Sequence, residues 1–179
     1  APKSLINEHR PQHFQAYYLQ DLDDFAPFFK DLYAYCDAQG LPAKTLISEY
    51  APGQMEIVLR HRADVLKACD EGIMLKRVIK ATAEKHGMAA TFMAKPYAQW
   101  TGSGMHIHVS IWKGGKPLFS GEEYGGLSKM ALHFIGGILK HARAVCAISN
   151  PTSNSYRRLV PGFEAPVNLV YSRRNRSAA

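Results

Sequence analysis

Apolar residues recur at helical spacing in three stretches of the chain, and each stretch is bounded by residues that begin or end helices. Residues 21–40 start with three aspartates, which favour a helix N-terminus, and stop at a glycine. Residues 63–86 are followed by Gly87, a common cap residue. Residues 127–148 carry the most regular apolar stripe, which predicts a helix with one face in a core.

These stripes also predict which helical residues are buried. The expected core face of the helix at 63–86 is broad and comprises Val65, Leu66, Cys69, Ile73, Val78 and Ile79. The expected core face of the helix at 127–148 comprises Leu127, Met130, Ala131, Phe134, Ile135, Ile138, Leu139, Ala142, Val145 and Cys146.

Short runs between the helices predict strands. Residues 44–49 and 54–60 flank a Pro-Gly turn, residues 89–94 are apolar, and residues 105–112 alternate strictly before a Lys-Gly-Gly-Lys turn that closes a hairpin. An aromatic patch at Phe14, Tyr17 and Tyr18 suggests one further short strand. Runs of strands between helices predict an α+β fold with a mostly antiparallel sheet.

Length and composition fit one cytosolic domain. The 179 residues, 46% of them hydrophobic, are enough to bury a core. No run approaches the roughly 20 apolar residues that cross a bilayer, and the N-terminus has no signal-peptide core. Cys36, Cys69 and Cys146 are widely spaced in apolar helical patterns, so we expect reduced, buried thiols and neither disulfides nor a zinc site.

Residues 150–176 are the most basic part of the chain. Seven positive residues against one acid, Glu164, lie between positions 140 and 176, whereas the whole chain has a formal net charge of +7. Pro151 and Pro161 exclude a single helix. Arginines in such a loop suit phosphate, because their forked donors match its oxygens. The alternatives are a solvated basic loop or a loop that binds nucleic acid.

Two histidines and a serine project from one face of the predicted strand at 105–112. His106, His108 and Ser110 are each two residues apart, and the residues between them are expected to face the core: Met105, Ile107, Val109 and Ile111. The row is a candidate for binding a metal or a phosphate, and the alternative is an exposed strand face with no ligand.

Two glutamates lie on either side of the predicted Pro-Gly turn. Glu49 ends one strand and Glu56 lies inside the next, so their carboxylates can face one another. Carboxylates without cysteine partners suit hard cations such as Mg²⁺ or Mn²⁺. The alternative is a pair of surface glutamates. Metal-binding carboxylates together with phosphate-binding arginines favour phosphoryl transfer, and the chain has no P-loop motif.

Four motifs closely resemble the catalytic domain of glutamine synthetase, in that family's order and over nearly the whole chain. They are EYAPGQMEI (49–57), ATFMAKPY (90–97), GSGMHIHVSIW (102–112), and NPTSNSYRRLVPGFEAPV with SRRNRSA (150–167 and 172–178). The resemblance implies an α+β fold with a mostly antiparallel, curved sheet flanked by helices. It also implies that residues 1–179 are one part of that catalytic domain.

The resemblance implies ATP-dependent formation of a γ-glutamyl amide through a γ-glutamyl phosphate intermediate, with two or more Mg²⁺ or Mn²⁺ ions. Ammonia is the expected acceptor. The alternative is an organic amine such as putrescine, because the stretch YCDAQGL (35–41) resembles the branch that joins glutamate to polyamines. A second alternative is an inactive family member with a structural or regulatory role.

The resemblance assigns five residues to metal and nucleotide. Glu49 and Glu56 match ligands of the metal ion nearer glutamate, and His106 matches a ligand of the ion beside the nucleotide phosphates. His108 and Ser110 match strand positions that contact ATP.

The resemblance assigns four further residues to glutamate and the reaction. Gly102 matches the backbone that holds glutamate, and Arg158 and Arg176 match arginines that grip glutamate and the transferring phosphate. Glu164 matches a flap acid that takes a proton from the attacking amine. Thr101 departs from the asparagine that many members have at this position.

The family also uses parts that these 179 residues lack: an upstream acidic pair, a downstream metal-binding glutamate and a small N-terminal domain from a neighbouring subunit. We therefore expect a piece of a longer protein that is inactive by itself. The resemblance implies that the parent is a cytoplasmic homo-oligomer, a ring dodecamer. We expect no membrane and no nucleic acid, since aromatic residues do not alternate with the arginines as stacking platforms would.

Overall fold

The computed structural model of the protein describes residues 3–10, 15–163 and 165–173, and it contains two compact units, Ala1–Phe92 and Met93–Ala179. The first unit contains α1 (Leu19–Asp24), α2 (Ala26–Ala38), β1 (Ala43–Ser48), β2 (Met55–Leu59) and α3 (Val65–Lys85). The second contains β3 (Trp112–Lys113), β4 (Lys116–Pro117), β5 (Ser120–Glu123), a 3₁₀ turn (Tyr124–Gly126), α4 (Lys129–Ser149) and α5 (Ser153–Arg158). Antiparallel strands flanked by helices confirm the predicted α+β class.

The helix predicted at residues 21–40 is divided into two at Phe25. The backbone of Phe25 leaves helical geometry (φ −114°, ψ 16°), and Pro27 lies in the first turn of α2. Proline lacks the N–H that would continue α1, but it fits the first turn of a new helix. The break turns the aromatic face of α2 into the core of the first unit, where Phe28, Phe29 and Leu32 are all buried.

Helix α3 begins as predicted but buries a different face. The Asp64 carboxylate accepts a hydrogen bond from Lys67 N at 3.0 Å as the N-cap, and Gly87 follows the helix with φ +68°. The buried positions recur at helical spacing: Glu71, Leu75, Val78 and Thr82. The prediction that the core face includes Val65, Leu66 and Ile73 is wrong, since these are 79%, 79% and 68% exposed.

A buried ion pair explains the presence of a glutamate on the packed face of α3. Glu71 is 6% exposed and accepts hydrogen bonds from Arg62 Nε at 2.9 and 3.0 Å, and Arg62 Nη2 also lies 2.8 Å from Glu71 Oε1. The forked guanidinium satisfies both carboxylate oxygens, which offsets the cost of burying them. The pair ties the segment after β2 to α3.

The predicted hairpin at residues 44–60 is confirmed. Strands β1 and β2 pair antiparallel, with Leu46 opposite Ile57 and Ser48 opposite Met55. Leu46, Met55 and Ile57 pack on the core of the first unit, so the alternate residues lie on the other face of the sheet.

The aromatic patch near the N-terminus does not form the suggested strand. Tyr17 has φ +63°, which is incompatible with a strand, and its backbone N–H donates to Ser48 O at 2.8 Å. The next N–H, of Tyr18, donates to the Ser48 hydroxyl at 2.7 Å. Ser48 is fully buried and so anchors this segment to the end of β1. The third member of the patch, Phe14, lies outside the described residues.

The small hairpin of the second unit also forms as predicted. Gly114 and Gly115 connect β3 and β4 with φ +55° and +74°, so both central residues of the turn use the left-handed region that suits glycine. The Ser128 hydroxyl then donates to Leu118 O at 2.6 Å and accepts from Ala131 N at 3.2 Å, which caps α4 and fixes it to the hairpin.

The strands predicted at residues 89–94 and 105–112 do not form, apart from Trp112. Single backbone hydrogen bonds reach these segments, from Ser103 N to Ala94 O at 2.9 Å and from Leu118 N to Ile111 O at 2.8 Å, but in the described part of the chain no continuous ladder of strand hydrogen bonds runs along them. The expected core-facing row is therefore exposed: Met105 at 80%, Ile107 at 73%, Val109 at 51% and Ile111 at 38%.

Helix α4 has the predicted bounds to within two residues, but of its apolar stripe only Ala131 is buried. It is also the single helix among the described residues that is long and apolar enough to cross a membrane, with 21 residues and a mean hydropathy of 1.2. This is weak evidence for a span, because Lys140 and Arg143 lie within the helix and each would cost about 2.5–3.5 kcal/mol at the centre of a bilayer.

The cysteines are free, as expected, but their burial differs. Cys36 is fully buried in the first core, which raises the pKa of its thiol. Cys69 is exposed and Cys146 is partly exposed, so the expectation of three buried thiols is wrong for these two. Cys69 lies on the face of α3 opposite its packed side.

We predict that replacing Asp31 with Asn lowers the Tm of the protein more at pH 7 than at pH 3. Hydrogen bonds from Lys85 at 3.0 Å and His86 at 3.1 Å lower the pKa of the Asp31 carboxyl and join α2 to α3. A lowered carboxyl pKa contributes stability above the unfolded-state pKa, and this contribution is lost as the pH falls through the folded-state pKa.

Thermal melts of the protein that contains this chain, at the two pH values, check this prediction. The matched control is Asp37→Asn, an exposed carboxyl near the end of the same helix, which should not lower the Tm at either pH. Equal losses for Asp31→Asn at pH 3 and pH 7 would contradict an ionic origin.

Candidate functional site

The register of the β1–β2 hairpin places the two candidate metal-binding glutamates on the same face. Glu56 pairs with Ile47, and Glu49 N donates to Gln54 O at 2.8 Å, which extends the ladder by one residue. Glu49 and Glu56 are therefore diagonal neighbours on the face turned away from the core, and such Cα atoms lie about 7–8 Å apart. Both side chains are partly buried.

This arrangement fits a hard divalent cation. Two carboxylates on the same face of adjacent strands can supply charged oxygen ligands, which Mg²⁺ and Mn²⁺ prefer. The set is partial, however. Within neither unit do the described residues include a group of three or more His, Cys, Asp or Glu side chains placed to hold a metal ion.

In the second unit, Gly102 and Arg158 are in direct contact. A Cβ atom at residue 102 would collide with Arg158 Cδ and with Ala94 O, and it would lie 2.7 Å from Arg158 Nε. Real Cβ atoms do not approach other heavy atoms this closely. Glycine is therefore required here by the space that the guanidinium stem occupies. Two residues that are 56 positions apart in sequence, both predicted to bind substrate, are thus neighbours.

The segment before Gly102 is held in place by Asn154. Its side-chain oxygen accepts from Lys95 N at 2.9 Å, and its side-chain nitrogen donates to Lys95 O at 2.8 Å. The Asn154 amide thereby binds both the N–H and the C=O of Lys95, as a neighbouring strand would. Ser103 N also donates to Ala94 O at 2.9 Å. These bonds connect the start of α5 to the turn at residues 94–103.

Lys95 is a buried cation beside Arg158. Its side chain is 5% exposed, and its ammonium donates to Trp100 O and lies 3.5 Å from the centre of the Phe163 ring. Burial, and then the positive charge of Arg158, lowers the pKa of Lys95 below the ordinary lysine value. Arg158 Nη1 donates to Phe163 O at 3.0 Å, so both cations contact the same phenylalanine.

The three candidate residues at 106–110 are all exposed on a segment without a paired strand. Trp112 Nε1 donates to Ser110 Oγ at 3.0 Å. His106 and His108 have no metal-ligand cluster around them among the described residues of the second unit. Glu164 and Arg176 lie outside the described residues.

Sequence reasoning did not single out Lys95, Asn154 or Phe163. Each lies inside a motif that was recognised, but no periodicity distinguishes a buried lysine from an exposed one. The available signal was a lysine directly after the apolar run at 89–94, followed by proline. A charged residue at the end of an apolar run is buried only where a partner is available, and the partners of the ammonium here are Trp100 O and the distant Phe163 ring.

The whole chain, residues 1–179, matches the family model described as glutamine synthetase, catalytic domain. The chain belongs to the glutamine synthetase family. It is 48% identical over 173 residues to a glutamine synthetase of Microchaete diplosiphon, which covers 96% of this chain and 36% of that protein. It is 47% identical over 173 residues to a protein of Cupriavidus pinatubonensis named 3-hydroxylaminophenol mutase, with the same two coverages.

Solved structures of glutamine synthetase relatives have the same fold. A structure described as a GmaS/ADP complex superposes with a TM-score of 0.76 at 35% identity, over 94% of this chain and 39% of that one. The chain thus spans a little over a third of the length of the curated relatives that it matches. The match to the family model agrees with the predicted family, and the fold of the solved structure agrees with the predicted α+β class.

We predict that Gly102→Ala displaces Arg158 and lowers the free energy of unfolding by about 1–3 kcal/mol, the usual cost of overpacking. The added methyl group cannot be accommodated without moving the guanidinium stem or the backbone at Ala94. Chemical denaturation of the variant and its crystal structure measure the two effects.

The matched control is Gly104→Ala, because a Cβ atom there meets only His106 Nε2 at 4.0 Å. This variant should have nearly the same free energy of unfolding as the wild type, with Arg158 unmoved. If the two variants are equally stable and Arg158 is unmoved, the close contact at Gly102 is not a constraint on the site.

Proposed function

We propose that the protein containing this chain is an ATP-dependent ligase that forms a γ-glutamyl amide from glutamate and ammonia through a γ-glutamyl phosphate intermediate. The observation that carries the proposal is the contact of Gly102 with Arg158 beside the buried Lys95. A guanidinium held next to a backbone without a side chain, with a second positive charge buried beside it, suits an anionic group that approaches the chain closely. Both glutamate and the transferring phosphate are such groups.

The carboxylate pair of the first unit suits the divalent ions that the proposed reaction uses. Glu49 and Glu56 would hold one divalent ion, and His106 would contribute to a second. When bound, the ions would neutralise phosphate charge and polarise the phosphoryl oxygens. His108 and Ser110 would contact ATP. The ADP complex of the structural neighbour GmaS supports a nucleotide site in this proposal.

The arginines and the flap acid would act on the reacting groups. Arg158 would orient glutamate with its forked donors, and Arg176 would stabilise the negative charge of the transferring phosphoryl group. Glu164 would take the proton of the attacking amine, which requires a carboxylate held at the entrance to the site. The backbone at Gly102 would hold glutamate against these groups.

Assembly and location follow from the same proposal. The parent would be a cytoplasmic homo-oligomer without nucleic-acid or membrane partners. The family resemblance implies that this oligomer is a ring dodecamer. The exposed apolar stripes of α4 and of residues 105–111 suit contact with further protein, because a continuous apolar surface in water is costly. The 179 residues alone would be inactive, since the resemblance assigns only Glu49, Glu56 and His106 in them to metal ions.

The deciding experiment is an amine-dependent assay of the full-length protein. With ATP, glutamate and Mg²⁺ or Mn²⁺, we expect phosphate release and amide formation with ammonium, and none with putrescine or ethanolamine. Glu56→Gln is the inactive control. Activity with an organic amine and none with ammonium would make that amine the acceptor in place of ammonia. No ATP-dependent amide formation with any amine would favour an inactive structural or regulatory member, or a chemistry like that of the relative named a mutase.

We further predict that Glu56→Gln weakens Mn²⁺ binding to the full-length protein. The amide keeps the shape of the side chain but removes the charge, and losing a direct ligand should cost at least the roughly 10–100-fold that outer-shell partners cost. Titration of Mn²⁺ followed by electron paramagnetic resonance measures the affinity. Glu84→Gln, an exposed position on α3, is the matched control and should bind normally. Equal affinity in the two variants would remove Glu56 from the metal site.

A further inference from the structure

Lys95 has a position that is unusual for a lysine. It is 5% exposed. Its backbone N–H donates to the Asn154 side-chain oxygen at 2.9 Å, and its backbone C=O accepts from the Asn154 side-chain nitrogen at 2.8 Å. Lysine is almost never fully buried unless its charge is matched. In the second unit the ammonium is matched by the carbonyl of Trp100 and by the face of the Phe163 ring, whose centre lies 3.5 Å away.

Phe163 is held from two directions. Its ring lies over the Lys95 ammonium, and its carbonyl accepts from Arg158 Nη1 at 3.0 Å. The segment between α5 and Phe163 contains Pro161 and Gly162, with Gly162 at φ +86°, and most of it is partly or fully exposed. The backbone hydrogen bonds from Leu159 N to Tyr156 O at 3.1 Å and from Val160 N to Arg158 O at 3.0 Å are local, whereas the Lys95–Phe163 contact links this segment to a distant part of the chain.

We propose that Lys95 is a positioning residue that anchors the segment 159–163 through the Phe163 ring and keeps that segment in contact with Arg158. The expected effect on catalysis rests on the proposed function, which makes Glu164 the residue that takes the proton of the attacking amine. Residue 164 directly follows the anchored segment in sequence. The structural part of the inference rests only on the geometry. Ala165, on the far side of residue 164, is 3% exposed, so anchored residues flank that position on both sides in the chain.

The chemistry of the anchor requires a cation and an aromatic face. A desolvated ammonium over a ring contributes enough to change the population of an open segment by roughly 5- to 30-fold. A methionine at position 95 fills similar volume but has no charge. An arginine keeps the charge and also stacks on aromatic faces. The series Lys95→Met and Lys95→Arg therefore separates charge from volume.

The test uses the full-length protein and measures backbone hydrogen exchange of residues 157–163 together with steady-state kinetics. Lys95→Met should speed exchange in this segment by about 5- to 30-fold and reduce kcat for amide formation while the KM for ATP stays within about twofold. Lys95→Arg should restore slow exchange and most of kcat. Lys116→Met, in the exposed β3–β4 hairpin, is the control and should match the wild type.

A second pair of variants tests the aromatic partner and guards against misfolding. Phe163→Leu should behave as Lys95→Met, Phe163→Tyr should behave as wild type, and the effects of Lys95→Met and Phe163→Leu should not add. Unchanged exchange in both Lys95→Met and Phe163→Leu, or fully additive effects, would overturn the anchor.

The two proposals fail in different ways. If the wild type shows no ligase activity, the proposed function fails, and the exchange measurements still decide whether Lys95 anchors the segment. If exchange responds to Lys95→Met but kcat does not, the positioning role is refuted while the ligase activity stands.

Discussion

The close approach of Arg158 to Gly102 is the constraint on which the second unit depends. A guanidinium stem occupies the volume that a side chain at residue 102 would need, and the backbone carbonyl of Ala94 closes the same space. Because Arg158 ends α5 and Gly102 follows the turn after Lys95, the contact joins two distant parts of the chain. Asn154 and Lys95 reinforce it, the first by hydrogen bonds to the backbone and the second by its contact with Phe163.

The first unit depends on a different constraint, the register of one hairpin. With Leu46 opposite Ile57 and facing the core, Glu56 necessarily lies on the opposite face, and so does Glu49. A slip of one residue would turn both carboxylates into the core and both apolar residues outward. The hydrophobic face that stabilises the hairpin therefore also places the candidate metal ligands.

The helices and hairpins were predictable because their signals are local. Asp64 before α3, Ser128 before α4 and the Gly-Gly pair between β3 and β4 each act within a few residues. The division of the first helix at Phe25 was also signalled, by Pro27, and was missed because the apolar spacing continues across it. The strand at 105–112 was predicted from a real alternation, but alternation supplies no neighbouring strand, and of its described residues only Trp112 pairs in a ladder.

The sequence by itself determined the family, the α+β class, the glutamate pair and the polar positions of the candidate site, because long motifs and local periodicity carry that information. Only the tertiary structure decided which face of α3 is buried, that Gly102 packs against Arg158, and that Lys95 is a buried cation. Those three facts depend on side chains far apart in sequence. Burial and partner choice are properties of such contacts, and no local pattern encodes them.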